Sequence, residues 1–192
     1  FMRDGPLDMR MDPDTGIPAS AWLATVAESE LKRVLRQYGE ETSATRIARA
    51  IVNARRDAQI SRTAELARIV EEAAPARGKQ QIHPATKTFQ AIRIFINREL
   101  EQLQDVLQQS LRVLGNGGRL CVISFHSLED RIVKRFIRDA SREPEQYRGM
   151  PSIPAEFRPQ LKQVGRVIMA TAEEIEANRR ARSARLRIAE HV

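Results

Sequence analysis

Cysteine is almost missing from this chain: Cys121 is alone among 192 residues. Neither an intramolecular disulfide framework nor a thiolate-based zinc site can be built from one thiol, and a reducing compartment such as the cytoplasm is the simplest setting. Long apolar runs are missing too. No stretch approaches the roughly 18 to 20 residues of a membrane span, and the opening FMRDGPLDMRMD has no apolar segment of the kind a secretory signal carries. No Gly-x-Ser-x-Gly elbow surrounds any serine, so a hydrolase triad is not expected. Helix-turn-helix spacing and zinc-finger motifs are absent as well, which leaves a duplex-DNA reader without support.

What is present is a globular composition with a basic excess. Hydrophobic residues make up 42%, enough to bury a core in one domain or two small ones. Lys and Arg number 32 against 25 Asp and Glu, a formal charge of +7, which favours a polyanionic partner. Phe1, not Met, opens the chain, which suggests a start inside a longer protein or at the edge of its ordered part.

Residues 1–18, with Gly5, Pro6, Pro13 and Gly16, read as a loop. Thr25-Val-Ala-Glu28 has the spacing of a capping box and predicts a helix carrying Leu31, Val34, Leu35 and Tyr38 to a stop at Gly39, with a short turn around Trp22 before it. Ala44 to about Arg55 and Thr63 to Ala74 repeat the pattern with Ile47, Ile51, Leu66 and Val70, so three helices can form a small bundle. Pro84 suits the first turn of a further helix, and apolar residues from Phe89 to Leu114 keep helical spacing over some 30 residues. Arg119 to Phe125 then predicts a strand buried on both faces of a parallel sheet. Ser127 reads as the cap of a helix carrying Leu128, Val133 and Ile137, followed by a proline-rich excursion from Ser141 to Gly165. Two strands close the chain, Arg166 to Thr171 and Ala184 to His191. The class is therefore α/β. Three strands with no preceding β-α-β series cannot cover a parallel sheet, so a further α/β half is expected before Phe1, with the helices of residues 19–98 inserted into it.

Four constellations could carry chemistry. Asp4, Asp8 and Asp12 stand four apart in the opening loop. Carboxylates alone do not make a magnesium site, and no metal is expected; a loop at the edge of an active site, or simply solvated acids, are the readings left. In the second, His83, Thr86, Lys87, Gln90 and Arg93 line the start of a helix, and no acid occurs from Pro75 to Arg98 while Arg77, Lys79 and Arg98 add charge. Free N–H groups and cations there suit phosphate, and Arg46, Arg49, Arg55, Arg56 and Arg62 reinforce a nucleic-acid reading, against ordinary surface charge. In the third, His126 follows a strand at the carboxyl end, where open α/β sheets place their crevice, and lines a site there or serves structure alone. The fourth, the arginine run from Arg179 to Arg187, is an anion-binding edge or a solvated face.

Taken as strings, DGPLDMRMD, YGEE with RIARAIV, HPATKTFQAIRIFIN, GGRLCVISFHSLEDRIVKRF and NRRARSARLRIAE resemble the small-subunit ribosomal RNA methyltransferase H family, in order and over nearly the whole chain. The resemblance implies an S-adenosylmethionine-dependent enzyme that methylates the N4 amine of a cytidine in 16S ribosomal RNA of the small subunit. It implies the C-terminal part of a Rossmann-like class I methyltransferase sheet, with an inserted all-α substrate-binding domain. On that frame residues 1–18 are an active-site loop, 19–98 the RNA-binding helical insertion and 99–192 the end of the methyltransferase domain. The family's glycine-rich cofactor loop and its Asp-Leu-Gly-Val-Ser-Ser segment would lie upstream of Phe1, so no cofactor-binding residue is expected here and this chain alone should be inactive. Asp4, Asp8 and His126 then line the active-site wall, while His83, Thr86, Lys87, Gln90, Arg93, Arg46 and Arg49 meet the RNA. A homodimer is left open, and no membrane partner is expected. The competing reading is a non-catalytic RNA- or ribosome-binding helical module.

Overall fold

A computed structural model describes residues 3–75, 83–143, 145–147, 153–154 and 157–192. Arg77, Lys79, Pro144 and Pro151 lie outside the described residues. The chain divides into two units, Phe1–Glu99 and Leu100–Val192.

The first unit is helical: α1 (Ala19–Thr25), α2 (Glu28–Gly39), α3 (Ala44–Asp57), α4 (Thr63–Ala73) and α5 (Thr86–Ile96). The apolar faces legible in the sequence meet as expected, with α2 packed on both α3 and α5, and α3 on α4. Leu31, Leu35, Ile47, Ile51, Leu66, Ile92 and Ile94 are fully enclosed, each burial contributing about 1.5–3 kcal/mol. Gly39 sets how closely α2 and α5 approach, because a Cβ there would stand 2.6 Å from the Lys87 carbonyl oxygen.

The opening loop is part of this packing. Leu7 is buried; its amide donates to the Ser61 carbonyl at 2.8 Å and its carbonyl accepts from Ser20 at 2.9 Å. Thr63 donates to the Gly5 carbonyl at 2.9 Å, and Ala19 to that of Asp8 at 2.7 Å. Thr25 is not a cap. It closes α1, a two-turn helix where only a turn was expected, and α2 begins after Ala27 with no side-chain cap. The Thr-x-x-Glu spacing misleads because Val26 and Ala27 are extended.

The predicted 30-residue helix is two helices, α5 and α6 (Glu99–Val113). Arg98 adopts φ 50°, a left-handed conformation that stops helical propagation. Apolar spacing continues across this break, so periodicity alone does not reveal it. The α5 start also differs: Pro84 lies in a turn, and Ala85 is the residue before the first turn.

The second unit holds β1 (Arg119–Ser124), α7 (Ser127–Ala140), β2 (Leu161–Met169), α8 (Ala172–Ala177) and β3 (Arg185–His191), with short 3₁₀ turns at Glu145–Tyr147 and Arg179–Ser183. The sheet order is β1-β3-β2, and both pairings are antiparallel. The expectation of a parallel sheet with β1 buried on both faces is overturned within these strands. Leu120, Val122 and Ser124 turn inward, whereas Cys121 and Ile123 are exposed. A continuous apolar run cannot distinguish these cases, since the outer face of β1 is itself apolar. The core gathers Leu107, Val133, Ile137, Leu161 and Ala189. β2 begins five residues earlier than expected, at Leu161, and its register with β3 shifts between Val164 and Ile168, where Gly165 takes φ 66°.

Candidate functional site

The opening carboxylates do not converge. Asp4 caps α4 from 58 residues away: one oxygen accepts from the Ala64 amide at 3.1 Å, the other from Arg62 Nε at 2.6 Å. Both bonds hold its carboxyl below the usual carboxylate range, the Arg62 bond foremost. Asp8 receives a two-pronged bond from Arg10, Nε to Oδ1 at 2.7 Å and Nη2 to Oδ2 at 2.9 Å, which lowers its pKa likewise. Arg10 is the more covered partner, and Asp8 keeps 42% of its side chain exposed. Asp12 closes a local turn by accepting from the Asp14 amide and the Thr15 hydroxyl, both at 3.0 Å.

Asn97 holds this loop from α5, and sequence reasoning missed it. Its Nδ2 donates to the Met9 carbonyl at 2.9 Å and its Oδ1 accepts from the Met11 amide at 2.7 Å. Met9 has φ 68°, a conformation a non-glycine residue adopts at a cost of about 1–2 kcal/mol. Two side-chain bonds offset that cost. The one sequence signal was an asparagine at the end of a helical apolar run, a residue suited to helix ends.

The His83 to Arg93 segment is largely committed to internal bonds. His83 Nδ1 accepts from the Ala85 amide at 3.2 Å, and Nε2 lies 2.9 Å from Glu71 Oε1, tying α4 to the start of α5. Lys87 Nζ donates to the Glu40 carbonyl at 3.2 Å, at the left-handed end of α2. Arg93 makes a two-pronged bond to Glu99. Thr86 and Gln90 are half-buried on the first turns of α5. Of the supporting arginines, Arg55 Nη1 donates to the Leu23 and Val26 carbonyls at 2.6 and 2.7 Å, closing α1, and Arg62 pairs with Asp4. Arg46 meets only the Ser43 hydroxyl, and Arg49 stands 3.9 Å from Glu28, so these two keep their charge for solvent or a ligand.

In the second unit the helix cap is His126, not Ser127. Its Nδ1 accepts from the Glu129 amide at 3.4 Å, while Glu129 Oε2 accepts from the Phe125 and His126 amides at 2.9 and 3.2 Å. This reciprocal arrangement fixes the turn where β1 hands over to α7. His126 Nε2 lies 3.3 Å from Glu129 Oε1, and Phe125 beside it is 55% exposed. The Ser124 hydroxyl is buried with no hydrogen-bond partner among the described residues.

The arginine run resolves into two roles. Arg187 grips Asp130 with Nε to Oδ1 at 2.7 Å and Nη2 to Oδ2 at 3.1 Å, and Arg185 Nη1 reaches Oδ2 at 3.0 Å. Asp130 is buried, and the Arg187 bond in particular depresses its pKa. The face of β3 carrying Arg185, Arg187 and Ala189 is therefore the one beneath α7, opposite to a solvated face. Arg179, Arg180 and Arg182 lie in the 3₁₀ turn, the first two exposed. Among the described residues no group of three His, Cys, Asp or Glu could hold a metal ion, and no helix is long and apolar enough to cross a membrane.

These walls are shaped by segments whose sequence has close relatives. The profile of the MraW methylase family matches residues 1–192. The chain belongs to that family. It is 55% identical over 190 residues to the ribosomal RNA small subunit methyltransferase H of Coxiella burnetii strain Dugway 5J108-111, and equally to that of strain RSA 331 / Henzerling II. Each match takes in 99% of this chain and 61% of the relative, so the chain spans about three fifths of the length of the curated relatives it matches. The family match runs through the loop of Asp4 to Asp12, the α5 segment and the His126 turn.

Proposed function

We propose that the full-length protein containing this chain transfers a methyl group from S-adenosylmethionine to the N4 amine of a cytidine in 16S ribosomal RNA, on the small ribosomal subunit in the cytoplasm. The observation that carries this reading is 55% identity, over 99% of the chain, to proteins named for that ribosomal RNA methylation. The antiparallel β1-β3-β2 order supports reading residues 99–192 as the end of a Rossmann-like methyltransferase sheet, in which 1–18 is the active-site loop and 19–98 the helical insertion. The structure describes one antiparallel strand between two others, and the Rossmann-like frame is our extension of it.

The described residues do not fit a seat for the cofactor. No strand here leads through a glycine-rich turn into a helix: β1 passes to α7 through Phe125 and His126, and Gly117 and Gly118 precede β1. Upstream residues would hold the cofactor, which supplies an activated methyl group. This chain's part is positioning. An exocyclic amine attacks well only when acceptors orient its hydrogens and leave the lone pair facing the donor. Asp8 suits that task better than Asp4, because Arg10 keeps it ionised while its carboxylate stays reachable. His126 would line the opposite wall, and His83, Thr86, Lys87, Gln90 and Arg93 would shape the surface toward RNA.

The test is methyl transfer by the full-length protein from labelled S-adenosylmethionine to small ribosomal subunits that lack the modification. Label on the N4 of one 16S cytidine supports the reading. Label on protein, on another base, or nowhere overturns it.

A further inference from the structure

We propose that the groove between α2 and α3 binds the phosphate backbone of RNA, at a surface separate from the His83 to Arg93 segment. The proposal rests on the RNA-modifying function above and assigns a particular surface to substrate recognition.

The argument begins with where positive charge in the helical unit goes unused. Lys87, Arg93, Arg55 and Arg62 are spent on backbone carbonyls or carboxylates. In the groove the balance differs. Arg33 is neutralised by Glu30, with two bonds at 2.6 and 2.8 Å. Lys32 has no carboxylate within ion-pair distance among the described residues, Arg36 Nη2 contacts only the Thr45 hydroxyl at 3.4 Å, and Arg49 reaches Glu28 only at 3.9 Å. Three cations therefore face one open cleft of about 820 Å³ with a single distant acid between them.

Helix geometry makes this more than a scattered solvated face. Lys32 and Arg36 are four apart on α2, and Thr45 and Arg49 are four apart on α3, so each pair forms a row along its helix. The rows face each other across the groove, which both helices line. The helices are held by Leu31, Leu35, Ile47 and Ile51, all fully buried. The cations are thus carried on a rigid frame, and ordering them on a ligand costs little backbone entropy.

The lining also selects the partner. It contains no aromatic residue and no methionine, whereas protein-binding hot spots and base-stacking platforms are rich in aromatics. Arginine, lysine and hydroxyl groups without aromatic anchors match phosphate oxygens, which position a nucleic acid without reading its sequence. An RNA backbone crossing the cleft can meet both rows.

The test uses the full-length protein and a labelled 16S ribosomal RNA fragment, with affinity measured against KCl concentration. In the groove variant Lys32, Arg36 and Arg49 are all changed to Gln. The control changes Arg68, Arg138 and Arg158 to Gln, which removes the same charge from exposed positions off the groove. The groove variant should bind about 10-fold more weakly near 100 mM salt, and its log–log salt slope should be shallower by about 2, as expected for the loss of three phosphate contacts. The single variants Lys32→Gln and Arg36→Gln should each reduce the slope by about 0.7–0.9, which keeps the result readable should the triple variant fold poorly. Methyl transfer should show a raised KM for RNA with kcat at saturation retained. A groove variant that matches the control in affinity and slope overturns the groove while leaving the methyltransferase reading intact. Wild-type protein that neither binds nor methylates the RNA overturns both.

Discussion

Asn97 bonds both sides of a strained residue, donating to the carbonyl of Met9 at 2.9 Å and accepting from the amide of Met11 at 2.7 Å. It lies one position before Arg98, whose left-handed backbone ends α5. The interruption of the helix and the shape of the Asp8 loop are therefore one feature, because a helix continuing through residue 97 would carry the amide to a different place. Asn97→Ala should raise the exchange rate of the Met11 amide at least about 10-fold, as the loss of one side-chain bond of about 1–1.5 kcal/mol implies. Asn97→Asp should preserve protection of Met11 and lose only the bond to Met9. Hydrogen exchange of the full-length protein distinguishes them, and equal protection in all three would show that the loop is held by other contacts.

His126 can be separated into a helix cap and a site residue. Asparagine is also a good cap, so His126→Asn should stay within about 0.5 kcal/mol of wild type in denaturant unfolding, whereas His126→Ala should lose about 1 kcal/mol. If His126 serves only as the cap, methyl transfer follows stability and Asn restores it. Should the imidazole itself line the active-site wall, both variants lose activity although only Ala is destabilised.

The close approach at Gly39 predicts a cost for one methyl group. The atom it would meet is the Lys87 backbone oxygen at 2.6 Å, which cannot rotate away. Gly39→Ala should destabilise the full-length protein by about 1–3 kcal/mol, the usual range for overpacking. A lowered urea midpoint with unchanged slope checks it; an unchanged midpoint would mean that α2 and α5 slide apart without loss.

The helices were legible where one apolar face meets one core, as in α3 and α4, because spacing and burial are then the same information. They were misread where a non-apolar residue decides. The apolar spacing from Phe89 to Leu114 is continuous, yet Arg98 breaks it with a backbone torsion that no periodicity records. Ser127 and His126 are adjacent possible caps, and the choice between them depends on Glu129 reaching back over three residues. At the candidate site the residue types were visible but their commitments were not: Asp4, Lys87 and Arg93 are ordinary site chemistry in sequence, and only their distant partners show that they are occupied. The same holds for Arg185 and Arg187, whose partner lies 55 residues or more away.

That partner, Asp130, gives the second unit a defined response to acid. Arg187 and Arg185 together make three bonds to one buried carboxylate, and both lower its pKa, Arg187 more strongly. A carboxyl whose folded pKa is depressed contributes stability that is present above its unfolded value near 4, and that is lost as pH falls through the folded value. Asp130→Asn should therefore cost about 2–3 kcal/mol at pH 7, where charged hydrogen bonds are lost and Arg187 is left without its counter-ion. The gap between variant and wild type should narrow as pH is lowered below 4, because wild type then protonates toward the state that Asn imitates. Arg187→Gln should cost more than Arg185→Gln, since the Arg187 side chain is 15% exposed and that of Arg185 is 46% exposed. Urea unfolding of the full-length protein at a series of pH values from 3 to 7 measures all three. A gap that stays constant with pH would show that Asp130 acts through packing and not through its charge.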